Sequence, residues 1–288
     1  MNLKELLRLM RIEHSLMLII AVVAAELICK GLPNLETFAL SLVTPVFVSM
    51  GAFAINDYYD IEVDKANKKR RPLVIGTVTP RQAVYAAGVT LFIGVFSSIA
   101  INAYAFIIAL AFAILAVLYA YKLKEMLLWG NAYVALSMVI PFIYGDFVVI
   151  SYLNSAVASV SVMIFLAGFA REIHGTVRDL EGDIRVRNLH SLPRKIGVRK
   201  AALLAFLLYG LAIAISVYLG AYVRPFRANA IYVSLVAITD ILLLYSSIGY
   251  LNTRKRSFYD RARNLSLLAM ALALVAILLS AAFPNALI

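Results

Sequence analysis

Long uncharged, apolar stretches alternate with short polar ones along nearly the whole chain. The apolar runs cover approximately 14–31, 37–56, 82–101, 103–121, 131–150, 153–170, 201–222, 229–250 and 264–283. Most reach the roughly 20 residues that a helix needs to cross a hydrocarbon core about 30 Å thick. Only helices and closed barrels satisfy their backbone inside lipid, and continuous runs of helix length select helices. The pattern therefore predicts an all-α polytopic membrane protein with nine spans, forming a single membrane-embedded domain over residues 1–288. The first run carries Glu26 and no small-residue cleavage site follows it, so it reads as a span and not as a cleavable leader.

Composition agrees: 63% of the 288 residues are hydrophobic and 15% charged, with mean hydropathy +0.88. Soluble domains average about 45–50% apolar and about 25% charged. A net charge of +11 would suit nucleic acid, but its distribution does not. With alternating spans, 24 of the 27 Lys and Arg residues fall at the N-terminus and in the loops after even-numbered spans. Lys30, Arg224 and Arg227 alone lie opposite. This bias places the N-terminus and the even loops in the cytoplasm, with the chain in the cell membrane. The base runs Lys68–Arg71, Arg194–Lys200 and Arg254–Arg263, taken singly, read as topology signals. Cys29 is the only cysteine, which excludes an intramolecular disulfide and cysteine-ligated metal. No Walker loop, HExxH or dinucleotide-binding glycine turn is present, and no feature calls for an obligatory protein partner.

Two of the even loops open with acids. In "NDYYDIEVDKANKKRRPL", Asn56, Asp60 and Asp64 are spaced i, i+4, i+8. Each step drifts only about 40° around a helix, so the three share one face, and Asp57 fits it too. In "REIHGTVRDLEGDIRVRNLHSLPRKIG", Asp179 and Asp183 repeat the i, i+4 spacing beside Arg171 and Arg178. Like charges at i+4 repel, and holding them near lipid adds desolvation cost. Carboxylates that converge at such cost usually meet a cation, and oxygen-only ligands favour Mg²⁺, Mn²⁺ or Ca²⁺. Mg²⁺ binds through one or two carboxylates and takes further ligands from a substrate phosphate. Lys68, Lys69, Arg70, Arg71, Lys122, Lys124 and Arg178 are the bases at hand for such a phosphate. Asp60 and Asp179 each end the second span of a four-span set, which suggests two four-helix pseudo-repeats plus one extra helix around a central cavity. Asp146 and Asp240 fall inside spans and are functional candidates by position, although Asp240 also suits pairing across the bundle. His14 and His174, near the cytoplasmic ends, suit surface or supporting roles.

The paired motifs NxxxDxxxD (Asn56, Asp60, Asp64) and DxxxD (Asp179, Asp183) resemble those of the UbiA-type intramembrane prenyltransferases, as does the count of nine spans. Three stretches look like the archaeal ether-lipid branch: "NDYYDIEVDKANKKRRPL", "YAYKLKEMLLWGNAYVAL" with "FIYGD", and "REIHGTVRDLEGD" with "SLPRKIG". "RLMRIEHS" instead looks like the quinone branch. The family often has a tyrosine four residues before a lysine between the motifs. Here Tyr119 precedes Lys122 by three and Lys124 by five, leaving the lysine open.

The resemblance implies Mg²⁺-dependent transfer of a geranylgeranyl group from geranylgeranyl diphosphate to the hydroxyl of geranylgeranylglyceryl phosphate. It casts Asp60, Asp64, Asp179 and Asp183 as catalytic metal ligands. Asn56, Asp57, Arg71, Tyr119, Lys122, Lys124 and Arg178 become substrate-binding residues. The donor is a prenyl diphosphate, and the setting is membrane lipid. Ionisation of such a donor leaves an allylic cation, for which Tyr58, Tyr59, Tyr119, Tyr121, Phe142 and Tyr144 are candidate aromatic faces. Arg171, Arg178, Arg185 and Arg187 suit the acceptor's phosphate. The alternative is prenylation of an aromatic quinone precursor such as 4-hydroxybenzoate. A CDP-alcohol phosphotransferase would need DGxxAR, which is absent. A lipid transporter would favour helices broken at mid-membrane, whereas these acids cluster at one face.

Overall fold

The computed structural model describes residues 3–29, 31–126, 128–187 and 192–286, with the backbone alone for 181–187. The α-helices are α1 (Leu3–Leu9), α2 (Ser15–Cys29), α3 (Leu35–Tyr59), α4 (Ile61–Ala66), α5 (Pro80–Ser97) and α6 (Ala103–Tyr121). They continue as α7 (Trp129–Val149), α8 (Ser155–Arg187), α9 (Leu192–Ile196), α10 (Val198–Tyr222), α11 (Ala230–Asn252) and α12 (Arg256–Ala282). Nine helices among the described residues are long and apolar enough to cross a membrane: all but α1, α4 and α9. They coincide with the nine apolar runs.

Two helices outrun those runs. The sixth apolar run stops near residue 170, yet α8 runs on to Arg187, 33 residues in all. At 1.5 Å per residue that is roughly 50 Å, well beyond a hydrocarbon core of about 30 Å. The second acidic motif thus rides on a helix and not in a loop. The ninth run starts near 264, but α12 begins at Arg256 and brings its basic segment into the helix.

Ends and interfaces follow local rules. Asn34 and Asn102 cap α3 and α6 by accepting hydrogen bonds from Thr37 N and Ala105 N. Thr79 and Gln82 form a reciprocal capping box ahead of Pro80 on α5. Along α6, Ala105, Ala109, Ala113, Ala116 and Ala120 are buried, while Ile107, Leu110, Ile114 and Leu118 are exposed. Small residues face the protein and large apolar ones face lipid, the arrangement that lets membrane helices approach closely. The same logic joins α3 to α5, where a Cβ on Gly94 would lie 2.8 Å from Val48 N.

α3 packs chiefly on α5, and α8 on α10. These are the second and third spans of each half, as two pseudo-repeats require. α2 meets α7 between the halves, and α12 closes the assembly against α11 and α2. Outside the bundle, α1 buries Leu6, Leu9 and Met10 against Leu73, Val78, Ala83 and Met50. It therefore straps the 67–79 connection onto α3.

Asp146 and Asp240 find partners on neighbouring helices. Asp146 accepts from Cys29 Sγ at 2.5 Å and from Asn154 N at 2.9 Å, tying α7 to α2 and to the start of α8. Asp240 accepts from Ser216 Oγ at 2.7 Å, across α11 and α10.

Gly145 sits where α7 crosses α2, and a Cβ there would come 2.7 Å from Val22 O. Gly145→Ala should destabilise the protein by about 1–3 kcal/mol through overpacking. Gly210→Ala, where a Cβ meets nothing within 4 Å, should leave the melting temperature level or raised. Thermal melts in detergent compare the two, and equal melting would refute this account of the crossing.

Candidate active site

The first acidic motif spans a helix break. α3 ends at Tyr59, Asp60 takes φ −93° and ψ 0°, and α4 starts at Ile61. The i, i+4 bonding survives the break: Asp60 N donates to Asn56 O at 3.0 Å and Asp64 N to Asp60 O at 2.8 Å. Asn56, Asp60 and Asp64 therefore stay on one face. The chain then doubles back. Lys68 is left-handed at φ 52°, and Lys69 N donates to Asp64 O at 3.0 Å. This turn returns Lys69 and Arg71 to the acids they follow.

The side chains alternate in sign. Asp57, 3% exposed, accepts at Oδ1 from Arg11 at 2.8 Å and from Arg71 at 2.6 Å. Arg71 Nη1 is also 2.7 Å from Asp64 Oδ2, and Lys69 Nζ is 3.0 Å from Asp64 Oδ1. Beside this chain, Lys124 Nζ donates to Asp60 Oδ1 at 2.9 Å, and Asn56 Nδ2 to Asp60 Oδ2 at 3.2 Å. Asp57 and Asp64 are buried charges that need these partners. Asn56 Oδ1 is buried without a hydrogen bond, and both Asp64 oxygens are held by the Arg71 and Lys69 ion pairs alone.

The second motif lies on α8, past the apolar part of the helix. Arg178 forks onto Asp179, with Nε donating to Oδ1 at 2.8 Å. Arg256, at the start of α12, donates to the Arg178 carbonyl and lies 3.3 Å from Asp179 Oδ1. The side chain of Asp183, one turn further, lies outside the described residues, as do those of Arg185 and Arg187. α4 touches α8, so the first motif abuts the helix that carries the second. Among the described residues, no three His, Cys, Asp or Glu side chains form a ready-made metal cluster.

The structure separates the two lysines. Lys124 reaches Asp60, whereas Lys122 is exposed at the C-cap of α6. Arg71 folds back over the first motif onto Asp57 and Asp64. The aromatic candidates divide too. Tyr58, Tyr59 and Tyr121 form an edge-to-face run at 5.3 and 5.8 Å, with Lys124 Nζ 5.9 Å from the Tyr59 ring. Tyr119 stacks on Tyr133 at 4.2 Å. Phe142 and Tyr144 are instead buried in apolar clusters. His174 is 5% exposed and stacks on Tyr250 at 3.9 Å, a buried position and not a surface one.

Two participants escaped sequence reasoning. Arg11 is 46 residues from Asp57 and comes to it through a left-handed turn at φ 49°. Arg256 lies in a run that reads as a topology signal, and only the packing of α12 brings it to Asp179.

Comparison with known proteins converges on one family. The model of the UbiA prenyltransferase family matches residues 17–268. Digeranylgeranylglyceryl phosphate synthase of Archaeoglobus fulgidus is 36% identical over 275 residues, covering 95% of this chain and 94% of its own. The same enzyme of Korarchaeum cryptofilum is 35% identical, covering 83% and 84%. A structure solved in work on digeranylgeranylglyceryl phosphate synthase in membranes superposes with a TM-score of 0.80 at 28% identity, covering 97% and 98%. An Archaeoglobus fulgidus UbiA homologue bound to GPP and Mg²⁺ shares the fold at a TM-score of 0.65 and 21% identity, covering 95% and 99%. The matched motifs, the nine-helix bundle and these relatives together place the chain in the UbiA prenyltransferase family.

Proposed function

We propose that this protein transfers a geranylgeranyl group from geranylgeranyl diphosphate to the hydroxyl of geranylgeranylglyceryl phosphate, in archaeal ether-lipid synthesis. The observation that carries the reading is the alternation of acids and bases at the end of α3, abutting the helix with the Arg178–Asp179 fork. Such an edge suits a ligand that is itself a cluster of negative charge with a greasy tail. The similarity to relatives named digeranylgeranylglyceryl phosphate synthase supports the acceptor. The whole chain acts as one membrane-embedded unit, with the N-terminus and both motifs on the cytoplasmic side of the cell membrane.

Mg²⁺ suits the donor set. Every ligand atom is oxygen, and Asn56 Oδ1 is buried without a hydrogen-bond partner. Asp60, Asp64, Asp179 and Asp183 would hold it, and when bound it supplies charge that stabilises the leaving diphosphate. Arg71, Lys124 and Arg178 neutralise the remaining diphosphate oxygens. Asn56 and Asp57 hold Asp60 and Arg71 in place. The donor's C–O bond breaks to release diphosphate, and the acceptor oxygen bonds the allylic carbon as its hydroxyl proton passes to the departing diphosphate. The faces of Tyr59 and Tyr119 favour the positive charge on the allylic fragment. The surrounding apolar bundle keeps out the water that would capture it.

The aromatic-acceptor reading drew on "RLMRIEHS". In the structure Arg8 reaches the Arg70 carbonyl, and Arg11 is held by Asp57 and lies 4.6 Å from the Phe53 ring centroid. That stretch is occupied in positioning the first motif, which favours the lipid acceptor.

Purified protein given geranylgeranyl diphosphate should prenylate geranylgeranylglyceryl phosphate, lose turnover in excess EDTA and regain it with Mg²⁺. Asp60→Ala, Asp64→Ala, Asp179→Ala and Asp183→Ala should each lower kcat at least about 100-fold, as expected when charge stabilisation of the leaving group is removed. With both acceptors at equal concentration, a higher kcat/KM for 4-hydroxybenzoate would overturn the acceptor assignment.

The lysines give a second test. Lys124→Ala should raise the KM for geranylgeranyl diphosphate by about tenfold, the loss of one charge-assisted contact. Lys122→Ala should leave both kinetic constants near wild type. The reverse pattern would show that the Asp60 pairing misidentifies the diphosphate-binding lysine.

A further inference from the structure

A cavity of about 260 Å³ opens between α8, α11 and α12. Its walls include Arg171, His174, Arg178, Asp179, Tyr250 and Arg263. No lining residue comes from α3, α4 or the 67–79 connection, which carry the first motif. The cavity thus borders the second motif and not the first.

We propose that this cavity seats the phosphate of the acceptor, with Arg171 and Arg263 as its principal anchors and Arg178 as the wall it shares with the donor site. The proposal rests on the prenyl-transfer reading above and adds a second, separate anion seat to it. Three guanidinium groups face two carboxylates, Glu172 and Asp179, so the lining carries excess positive charge. Arg178 is committed to Asp179, and Arg171 Nη1 to Glu172 at 2.7 Å. Arg171 Nε is buried without a hydrogen-bond partner, and so is His174 Nε2 on a ring only 5% exposed. Such buried nitrogens are costly unless something satisfies them. Arg263 forms no ion pair among the described residues, is exposed, and lines the cavity.

Shape agrees with charge. Gly175 lines the wall, and a Cβ there would meet nothing within 4 Å, so the surface is open. Ser266, one turn below Arg263 on α12, donates its hydroxyl to the Arg263 carbonyl at 2.8 Å and leaves the anion to the guanidinium groups. The volume is slightly under the roughly 300 Å³ at which pockets begin to hold drug-sized ligands, and so suits a phosphorylated three-carbon head and not its prenyl chain. A phosphate monoester offers the oxygens that planar guanidinium groups grip in pairs. A donor diphosphate is a poorer occupant, because the first motif's carboxylates do not reach this space.

Equilibrium binding of radiolabelled geranylgeranylglyceryl phosphate, of its phosphate-free alcohol and of geranylgeranyl diphosphate tests the assignment. It is measured on the whole protein in detergent without turnover. Arg263→Gln and Arg171→Gln should each weaken the phosphorylated acceptor by about tenfold, the worth of one charge-assisted hydrogen bond. Binding of the alcohol and of the diphosphate should not move. Arg263 is exposed, so its variant keeps the result readable if Arg171→Gln unfolds. Wild-type affinity for the phosphorylated acceptor in Arg263→Gln would overturn the proposal, as would an equal loss for the diphosphate. Tight binding of the phosphorylated acceptor by wild type without any prenylation would instead defeat the proposed reaction and leave the phosphate seat standing.

Discussion

The arrangement turns on the cost of holding carboxylates at the edge of a membrane. Asp57 and Asp64 are almost fully buried, and an isolated buried charge is far too costly to persist. Each is therefore matched by a cation. Arg11, ahead of the first span, and Arg71, in the connection after the second, meet Asp57; Arg71 and Lys69 meet Asp64; and Lys124, after the fourth span, meets Asp60. Electrostatic necessity thus dictates the fold of the surface segments, while the apolar bundle beneath obeys different rules.

Those rules are steric. Between helices in lipid there is little hydrophobic driving force, so close contact and small residues decide which helices pair. The alanine face of α6 and the glycines at the α3–α5 and α2–α7 crossings set the helix spacing. That spacing fixes where α3 and α8 end, and so where both acidic motifs stand. Packing deep in the membrane and ion pairing at its surface are coupled through these helix ends.

The same pairing bears on chemistry. In the proposed reaction, a base that now balances an acid would turn to a diphosphate oxygen, and the acid it leaves would meet a divalent cation. Strong neutralising contacts among Arg71, Lys124 and their acids keep the site preorganised, so charge on a leaving group meets dipoles already in position. The α12 bases extend this to the second motif, where Arg256 grips the Arg178–Asp179 pair from outside.

The sequence by itself determined the nine spans, because the apolar run length needed to cross lipid leaves little freedom. It also marked Asn56, Asp60, Asp64, Asp179 and Asp183, because acids in helical spacing beside lipid are too costly to be incidental. It left Lys122 and Lys124 equivalent, since three- and five-residue offsets on a helix that is about to end do not fix direction. Only the tertiary structure chose Lys124, through the 3₁₀ turn after α6 that aims it at Asp60. Only the tertiary structure brought in Arg11, Arg256 and Arg263, whose neighbours are set by the packing of α1 and α12 and not by local pattern. It likewise gave Asp146 and Asp240 partners on other helices, which no spacing along one helix encodes. Periodicity reports which face a residue shares; the partner across that face depends on how the helices are assembled.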